Sequence, residues 1–307
     1  MHGKVVVITG ATAGIGQFAA EHLAKLGARM VLIARDRNRA EATLSRLRTI
    51  APNVPHRAYF ADLSLMADVR RVAAEIAAAE PRIDVLVNNA GGLFASRKIT
   101  AEGLERTFAL NHMAYFVLTQ CLQERLIASA PARIVNMGSV AHLPRAIDFD
   151  DLQTSKRYEL FRAYGRSKLC NILFTRELAR RLAGTGVTAN CVDPGIVATN
   201  LGQREGGVFG FLMRIAMLFA GRPDRAVDTI AYLAGSPELA DVTGKYYFGR
   251  RRAVQNRVAQ DDKVAARLWL ESERLARLCT QPMEPSTVCD TDAALEIDDG
   301  GVVVRAS

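Results

Sequence analysis

Lys4-Val-Val-Val-Ile-Thr9-Gly10-Ala-Thr12-Ala-Gly14-Ile15-Gly16 decides how the chain is read. Its first half is a short apolar run rich in β-branched residues, which predicts a buried strand. Its second half is a glycine-rich turn, and a helical pattern follows to about Leu26. Glycines at a strand-to-helix turn let the backbone come close to a pyrophosphate. The helix N-terminus then adds unpaired N–H groups and the positive end of its dipole. A tight turn with no ligand uses glycines too, and the spacing here is Gly-x-x-x-Gly-x-Gly, not the common Gly-x-Gly-x-x-Gly. Its place at the first turn of an alternating pattern favours a dinucleotide site.

That alternation runs outward from the turn. Further strands are expected at Met30–Ala34, His56–Phe60, Ile83–Val87, Arg133–Met137, Val187–Val192 and Lys245–Phe248. Helices are expected up to Ile50 and at Ala67–Ala79, Ala101–Ala128, Phe161–Ala183 and Arg225–Leu233. Strands alternating with helices predict an α/β fold, a doubly wound parallel sheet covered on both faces. No linker or repeat interrupts it, so residues 1–279 are read as a single domain. Residues 280–307 carry Pro282, Pro285 and the acids Glu284, Asp290, Asp292, Glu296, Asp298 and Asp299, against the single base Arg305. They read as a disordered acidic tail, or as one that folds back on a basic surface.

Composition narrows the class. A chain of 307 residues with 49% hydrophobic and 23% charged residues buries a core and is not disordered throughout. The net charge of +8 comes from scattered arginines, with small clusters at Arg35/Arg37/Arg39 and Arg250-Arg251-Arg252. This reads as a solvated basic surface, with no nucleic-acid partner. The five cysteines (Cys121, Cys170, Cys191, Cys279 and Cys289) form no CxxC pair, which argues for no metal site, no disulfide framework and a reduced setting. The longest apolar run, Val208 to Ala220, is interrupted by Arg214. As a helix it would cover about 20 Å, against roughly 30 Å of hydrocarbon. No signal segment precedes Lys4, so a cytoplasmic protein is expected, peripheral to a membrane at most.

Other residues fall at the ends of the expected strands. Asp62-Leu63 ends the third, where a carboxylate can reach an adenine amino group, and Asn88-Asn89-Ala90-Gly91 ends the fourth. Asn111 lies within a long helix, and Ser139 follows the fifth strand. Tyr164-Gly-Arg-Ser-Lys168 opens another helix, and Pro194-Gly195 follows the sixth strand. In this order and at these separations the chain resembles the short-chain dehydrogenase/reductase family, from about Lys4 to Leu278. Within the family it is similar to the retinol dehydrogenase-like branch. That closer likeness rests on Ala163-Tyr-Gly-Arg-Ser-Lys-Leu-Cys-Asn-Ile-Leu-Phe-Thr-Arg-Glu-Leu178, on Gly184-Thr-Gly-Val-Thr188, and on Lys263-Val-Ala-Ala-Arg-Leu-Trp269. It departs from the branch's membrane-bound members, which carry a hydrophobic N-terminal anchor.

The resemblance implies a Rossmann fold and an NAD(P)-dependent enzyme acting on CH–OH groups. It implies a catalytic set of Asn111, Ser139, Tyr164 and Lys168. Tyr164 and Lys168 are four apart and share a helix face. A free tyrosine has a pKa of about 10, and a nearby ammonium favours its phenolate, so Lys168 and an oxidised nicotinamide ring together are expected to draw Tyr164 down toward use as a general acid/base. Ser139 would hydrogen-bond the substrate oxygen. Lys168 would also hold the nicotinamide ribose, and Asn111 would hold a water relaying protons to Lys168. The implied cofactor contacts are Gly10, Thr12, Gly14, Ile15, Gly16, Arg35, Asp62, Leu63, Asn89, Ala90, Gly91, Tyr164, Lys168, Pro194, Gly195, Val197 and Thr199.

Cofactor choice turns on the end of the second strand. NAD-preferring members place an acid there, whereas this chain has Ala34 and then Arg35, which suits a 2′-phosphate. NADP is therefore expected over NAD, although Asp36 adjoins Arg35 and Ala13 stands where a second basic marker is common. The family's substrate loop follows the sixth strand, where the apolar segment 208–220, with Met213 and Met217, reads either as a pocket wall or as an ordinary buried helix. With the resemblance, it points to a lipophilic alcohol, aldehyde or ketone and to transient contact with a membrane surface. Dimers are common in the family, so a homodimer is also implied. Two competing readings are a catalytically silent dinucleotide-binding or interaction protein on the same fold, and a nucleotide-sugar epimerase. The intact Asn111, Ser139, Tyr164 and Lys168 argue against the first. The second would need Gly-x-x-Gly-x-x-Gly and a larger C-terminal region.

Overall fold

The apolar run at the head of the chain forms β1 (Val5–Thr9), an inner strand with Val6, Val7 and Ile8 fully buried. The computed structural model describes residues 1–195 and 223–278, so the expectations for Val197, Thr199, the segment 208–220 and the tail lie outside the described residues. After β1 come α1 (Gly14–Lys25), β2 (Arg29–Ala34), α2 (Arg37–Ile50), β3 (Arg57–Phe60), α3 (Met66–Ala79) and β4 (Val85–Asn88). Next are α4 (Arg106–Phe108), a π-helical turn (Ala109–Met113), α5 (Ala114–Ala128), β5 (Ala132–Met137), α6 (Leu160–Arg181) and β6 (Val187–Asp193). The described part closes with α7 (Asp224–Gly235), β7 (Tyr246–Phe248), β8 (Arg251–Arg252) and α8 (Asp262–Leu278).

The strands form one sheet in the order β3-β2-β1-β4-β5-β6-β7-β8. All neighbours are parallel except β7 and β8, which pair antiparallel. Helices α1, α2 and α7 pack together on one face, and α3, α5, α6 and α8 on the other. Parallel strands covered on both faces read as continuous apolar runs, which is why the sequence pattern is clear. The chain moves outward from β1 to β3 and then returns to place β4 on the other side of β1. The β1–β4 boundary is thus the switch point, where doubly wound sheets open a crevice at the strands' carboxyl ends.

One expected helix differs. Ala101–Ala128 is not continuous: Gly103 takes φ +76° in a turn closed by Thr100 N–H to Leu104 O at 2.7 Å. The helix begins only after Glu105, whose carboxylate accepts from the backbone N–H groups of Thr107 (2.7 Å) and Phe108 (2.9 Å). The π-helical turn then contains Asn111. Such single turns insert an extra residue and recur at functional sites.

Helix α8 is part of the core. Trp269 is 3% exposed and packs between Phe116 and Phe174, with ring centroids at 5.0 and 5.8 Å, while the Arg181 guanidinium lies 4.2 Å from its ring centroid. Cys121, Cys170 and Cys191 are free thiols. Among the described residues no helix is long and apolar enough to cross a membrane, and no cluster of three or more metal-ligating side chains occurs. Trp269→Ala removes the largest α8 anchor and is expected to cost about 3–5 kcal/mol. Urea denaturation checks this as a lower midpoint with an unchanged slope.

Candidate active site

The crevice begins where Thr9 ends β1. Its Oγ1 accepts from two backbone N–H groups after β4, those of Asn89 (2.8 Å) and Ala90 (2.9 Å). The Asn89 side chain returns the connection, with Nδ2 donating to the carbonyls of Thr9 (2.8 Å) and Gly10 (3.3 Å). This seam leaves no room for side chains. Gly10 sits at φ +68°, and a Cβ on Gly16 would collide with the Asn89 amide and lie 2.5 Å from the Gly10 carbonyl oxygen. Helix α1 opens on Ala13 with no side-chain cap and no acid in its first turn, so its N–H groups and dipole remain available to an anion.

A cavity of about 610 Å³ runs along this crevice. Gly10, Thr12, Gly14, Ile15 and Gly16 form one wall, and Asn89, Ala90 and Gly91 form the floor. One end is lined by Ala34, Arg35, Asp62, Leu63 and Ser64. The other holds Ser139, Tyr164, Lys168, Pro194 and Gly195, with Leu93, Phe94, Leu110, Val140 and Phe161 beside them. The structure therefore brings every expected site residue that it describes to this cavity except Asn111, which stands behind it.

At the first end, Asp62 Oδ1 accepts from the N–H (2.9 Å) and hydroxyl (2.7 Å) of Ser64, while Oδ2 lies 3.7 Å from Arg35 Nη1. Arg35 is 63% exposed, so this pair contributes only ~0–1 kcal/mol and leaves the guanidinium free to move to another anion. Asp36, the acid next to Arg35, is occupied elsewhere: it caps α2 by accepting from Arg39 N–H at 3.0 Å.

At the other end, Ser139 follows β5, and its Oγ accepts from Ala141 N–H at 3.2 Å. Tyr164 and Lys168 stand one turn apart on α6. Lys168 is 4% exposed, its Nζ donates to the Met137 carbonyl at 3.1 Å, and it lies 5.6 Å from the Tyr164 ring centroid. Burial pushes Tyr164 up to about 12, against a hydrogen bond with Ser139 that lowers it. Burial also brings Lys168 down to about 8. Within the chain itself desolvation favours the neutral phenol, and the charge of Asp193 adds to it.

Asn111 stands behind the cavity and is held by hydrogen bonds. Its Oδ1 accepts from Gly92 N–H at 2.7 Å, and its Nδ2 donates to Gly92 O (2.9 Å) and Ser167 Oγ (3.0 Å). The side chain fastens the loop after β4 to α6. Several buried polar residues beside the site were not singled out by the sequence: Asn136, Asn171 and His112 are fully buried, as is Asn88 of the Asn88-Asn89 pair. Asn88 Nδ2 donates to Asn136 Oδ1 at 2.8 Å, and Asn136 Nδ2 donates to Thr175 Oγ1 at 2.9 Å. An asparagine inside an apolar strand or helix is the signal that could have found them.

The sequence matches the short chain dehydrogenase family over residues 4–206. It is 42% identical over 283 residues to retinol dehydrogenase 13 of Homo sapiens, covering 90% of this chain and 85% of that protein. It is 42% identical over 267 residues to retinol dehydrogenase 12 of Mus musculus, covering 87% and 84%. Among solved structures, an uncharacterized protein from Mycobacterium Paratuberculosis superposes with a TM-score of 0.69 at 31% identity, over 90% of this chain and 94% of that one. RhlG of Pseudomonas aeruginosa, in an NADP active-site complex, superposes with a TM-score of 0.65 at 31% identity, over 80% and 94%.

Proposed function

Because this chain belongs to the short chain dehydrogenase family, we propose that it is an NADP-dependent enzyme for lipophilic alcohols and their aldehydes or ketones, with Tyr164 as the general acid/base. The observation that carries this reading is the meeting of the Tyr164 and Ser139 hydroxyls with a buried Lys168 at one end of the cavity.

The residues present fit a dinucleotide. The bare glycine wall and uncapped N-terminus of α1 suit a pyrophosphate, and Asp62 and Leu63 suit an adenine. Arg35 would hold a 2′-phosphate, while Ala34 puts no carboxylate at that place and Asp36 is committed to its cap. Asn89, Ala90, Gly91, Pro194 and Gly195 would hold the nicotinamide half, together with Val197 and Thr199 of the undescribed stretch. Tyr164 and Lys168 would hold its ribose. The NADP complex of RhlG supports NADP as the cofactor here. When bound, the nicotinamide supplies or takes up the hydride and, oxidised, brings a positive charge.

The chain's own groups handle the proton. With its pKa pushed up to about 12, Tyr164 is protonated at neutral pH and is ready to donate to a carbonyl oxygen as negative charge develops there. Ser139 donates a second hydrogen bond to the same oxygen. In the reverse direction Tyr164 must accept the alcohol proton, which requires added positive charge near it. Lys168, brought down to about 8, keeps a large protonated fraction at neutral pH. Asn111 holds Gly92 and Ser167 in register with this group. Leu93, Phe94, Leu110, Val140 and Phe161 make the nearby wall apolar, and Phe161 is 52% exposed at the rim. Such a rim suits a lipophilic substrate delivered from a lipid surface.

Three measurements test the reading. Tyr164→Phe should lower turnover about 10²–10⁴-fold while cofactor affinity changes little, and near-normal turnover would remove Tyr164 from the chemistry. In Arg35→Ala, NADPH should bind about 1.5–3 kcal/mol more weakly and NADH hardly differently; equal weakening of both would return Arg35 to the surface. With straight-chain aldehydes, each added CH₂ should improve binding by up to about 0.8 kcal/mol until the pocket is full. A fall of kcat/KM with chain length would overturn the lipophilic substrate and leave the oxidoreductase intact.

A further inference from the structure

The residue after Asn111 has no part in the chemistry above, yet it is held with unusual care. His112 is fully buried on the π-helical turn, among Phe108, Phe116 and Phe174, with ring centroids at 5.2, 6.5 and 6.1 Å. Burial brings it down to about 4, so at neutral pH the ring is uncharged and carries one proton. Its two nitrogens face different elements. Nε2 lies 2.9 Å from Ser272 Oγ on α8, and Nδ1 lies 3.4 Å from Asn171 Oδ1 on α6.

Asn171 fixes the direction of this chain. Its Nδ2 donates to two carbonyls, those of Asn111 (2.9 Å) and Met137 (3.0 Å). Turning the amide over would aim its oxygen at both carbonyls, so Oδ1 must face His112. With the ring proton on Nε2, two buried lone pairs would oppose each other at Nδ1 and Oδ1. With the proton on Nδ1, the ring donates to Asn171, and Ser272 turns its hydroxyl from the Leu268 carbonyl (2.8 Å) to His112 Nε2. The His112, Asn171 and Ser272 side chains then all have partners. The Met137 carbonyl at the end of this chain is also the one that receives the Lys168 ammonium at 3.1 Å.

We propose that His112, held as its Nδ1–H tautomer by Ser272, is a positioning residue. It fixes the Asn171 amide and, through that amide, the carbonyl on which Lys168 rests. The C-terminal helix thus reaches the catalytic lysine through three side chains. This rests on Lys168 working as described above, and the experiment separates the two ideas.

The first arm is NMR of the full chain with ¹⁵N-labelled histidine, His112 being assigned by difference from His112→Asn. A protonated Nδ1 and a bare Nε2 are expected; a protonated Nε2 overturns the proposal without touching the functional reading. The second arm is kinetic, with NADPH and the best aldehyde of the series. His112→Asn keeps a donor near the Nδ1 position and should stay within about threefold of normal kcat. His112→Phe keeps the aromatic packing but no donor, and His112→Gln reaches toward Ser272 but not Asn171. Both should lose about tenfold or more in kcat, with KM for the aldehyde within about twofold, as expected when a reacting group is displaced slightly. Ser272→Ala, a change of one hydroxyl on a helix, should fall in the same direction. Normal kcat in His112→Phe, or equal kcat in the Asn and Gln variants, overturns the proposal. If Lys168→Met also retains normal turnover, the functional reading fails as well.

Discussion

The hydroxyl of Thr9 is the contact on which the site depends. A doubly wound sheet opens its crevice where the strand order reverses, and here that is between β1 and β4. Two turns must stay at a fixed separation for the crevice to have a shape. Thr9 Oγ1 takes both N–H groups of the Asn89–Ala90 turn, and Asn89 answers with two bonds to the first turn. Each such buried group would cost ~1–3 kcal/mol if left unmet. From this seam the bonding continues through Gly92 to Asn111, and from Asn111 to Ser167, the neighbour of Lys168. The glycine-lined end and the Tyr164–Lys168 end of the cavity are thus parts of one hydrogen-bonded frame.

Burial sets the electrostatics of the catalytic end. Desolvation disfavours charge on both Tyr164 and Lys168, moving one up and the other down. Their ordinary values lie close together, and burial drives them apart in the sense that keeps the phenol a proton donor. In the same dry surroundings a charge that arrives with a ligand acts more strongly than it would in water. The Arg35–Asp62 end is built differently. Arg35 is solvent-exposed and Asp62 half-buried, and the two are weakly paired, so the guanidinium is open to exchange with a ligand.

Trp269 of α8 fills an aromatic pocket between α5 and α6, and Ser272, one turn on, meets the buried His112. Packing and hydrogen bonding by one helix therefore bear on the same turn that carries Asn111.

The sequence by itself determined the architecture and pointed to most of the residues that line the cavity. Buried parallel strands must be apolar from end to end, and glycine must stand where the backbone takes φ +68° or where a neighbouring amide leaves no room for a Cβ, so β1 and its turn are plain in the residues. Tyr164 and Lys168 share a helix face by spacing alone. The break before α4 was not legible, because Ala101–Ala128 is apolar at helical spacing and only the turn at Gly103 and the cap at Glu105 end it. Nor was the state of the site residues. Asn111, Asn171 and His112 look like ordinary helix residues until the fold sets Gly92, Met137 and Ser272 beside them. The raised pKa of Tyr164 likewise follows from how much water the folded chain removes. Local pattern specifies which surface each residue turns inward, but hydrogen-bond partners and desolvation are properties of segments far apart in sequence, and only the tertiary structure brings those together.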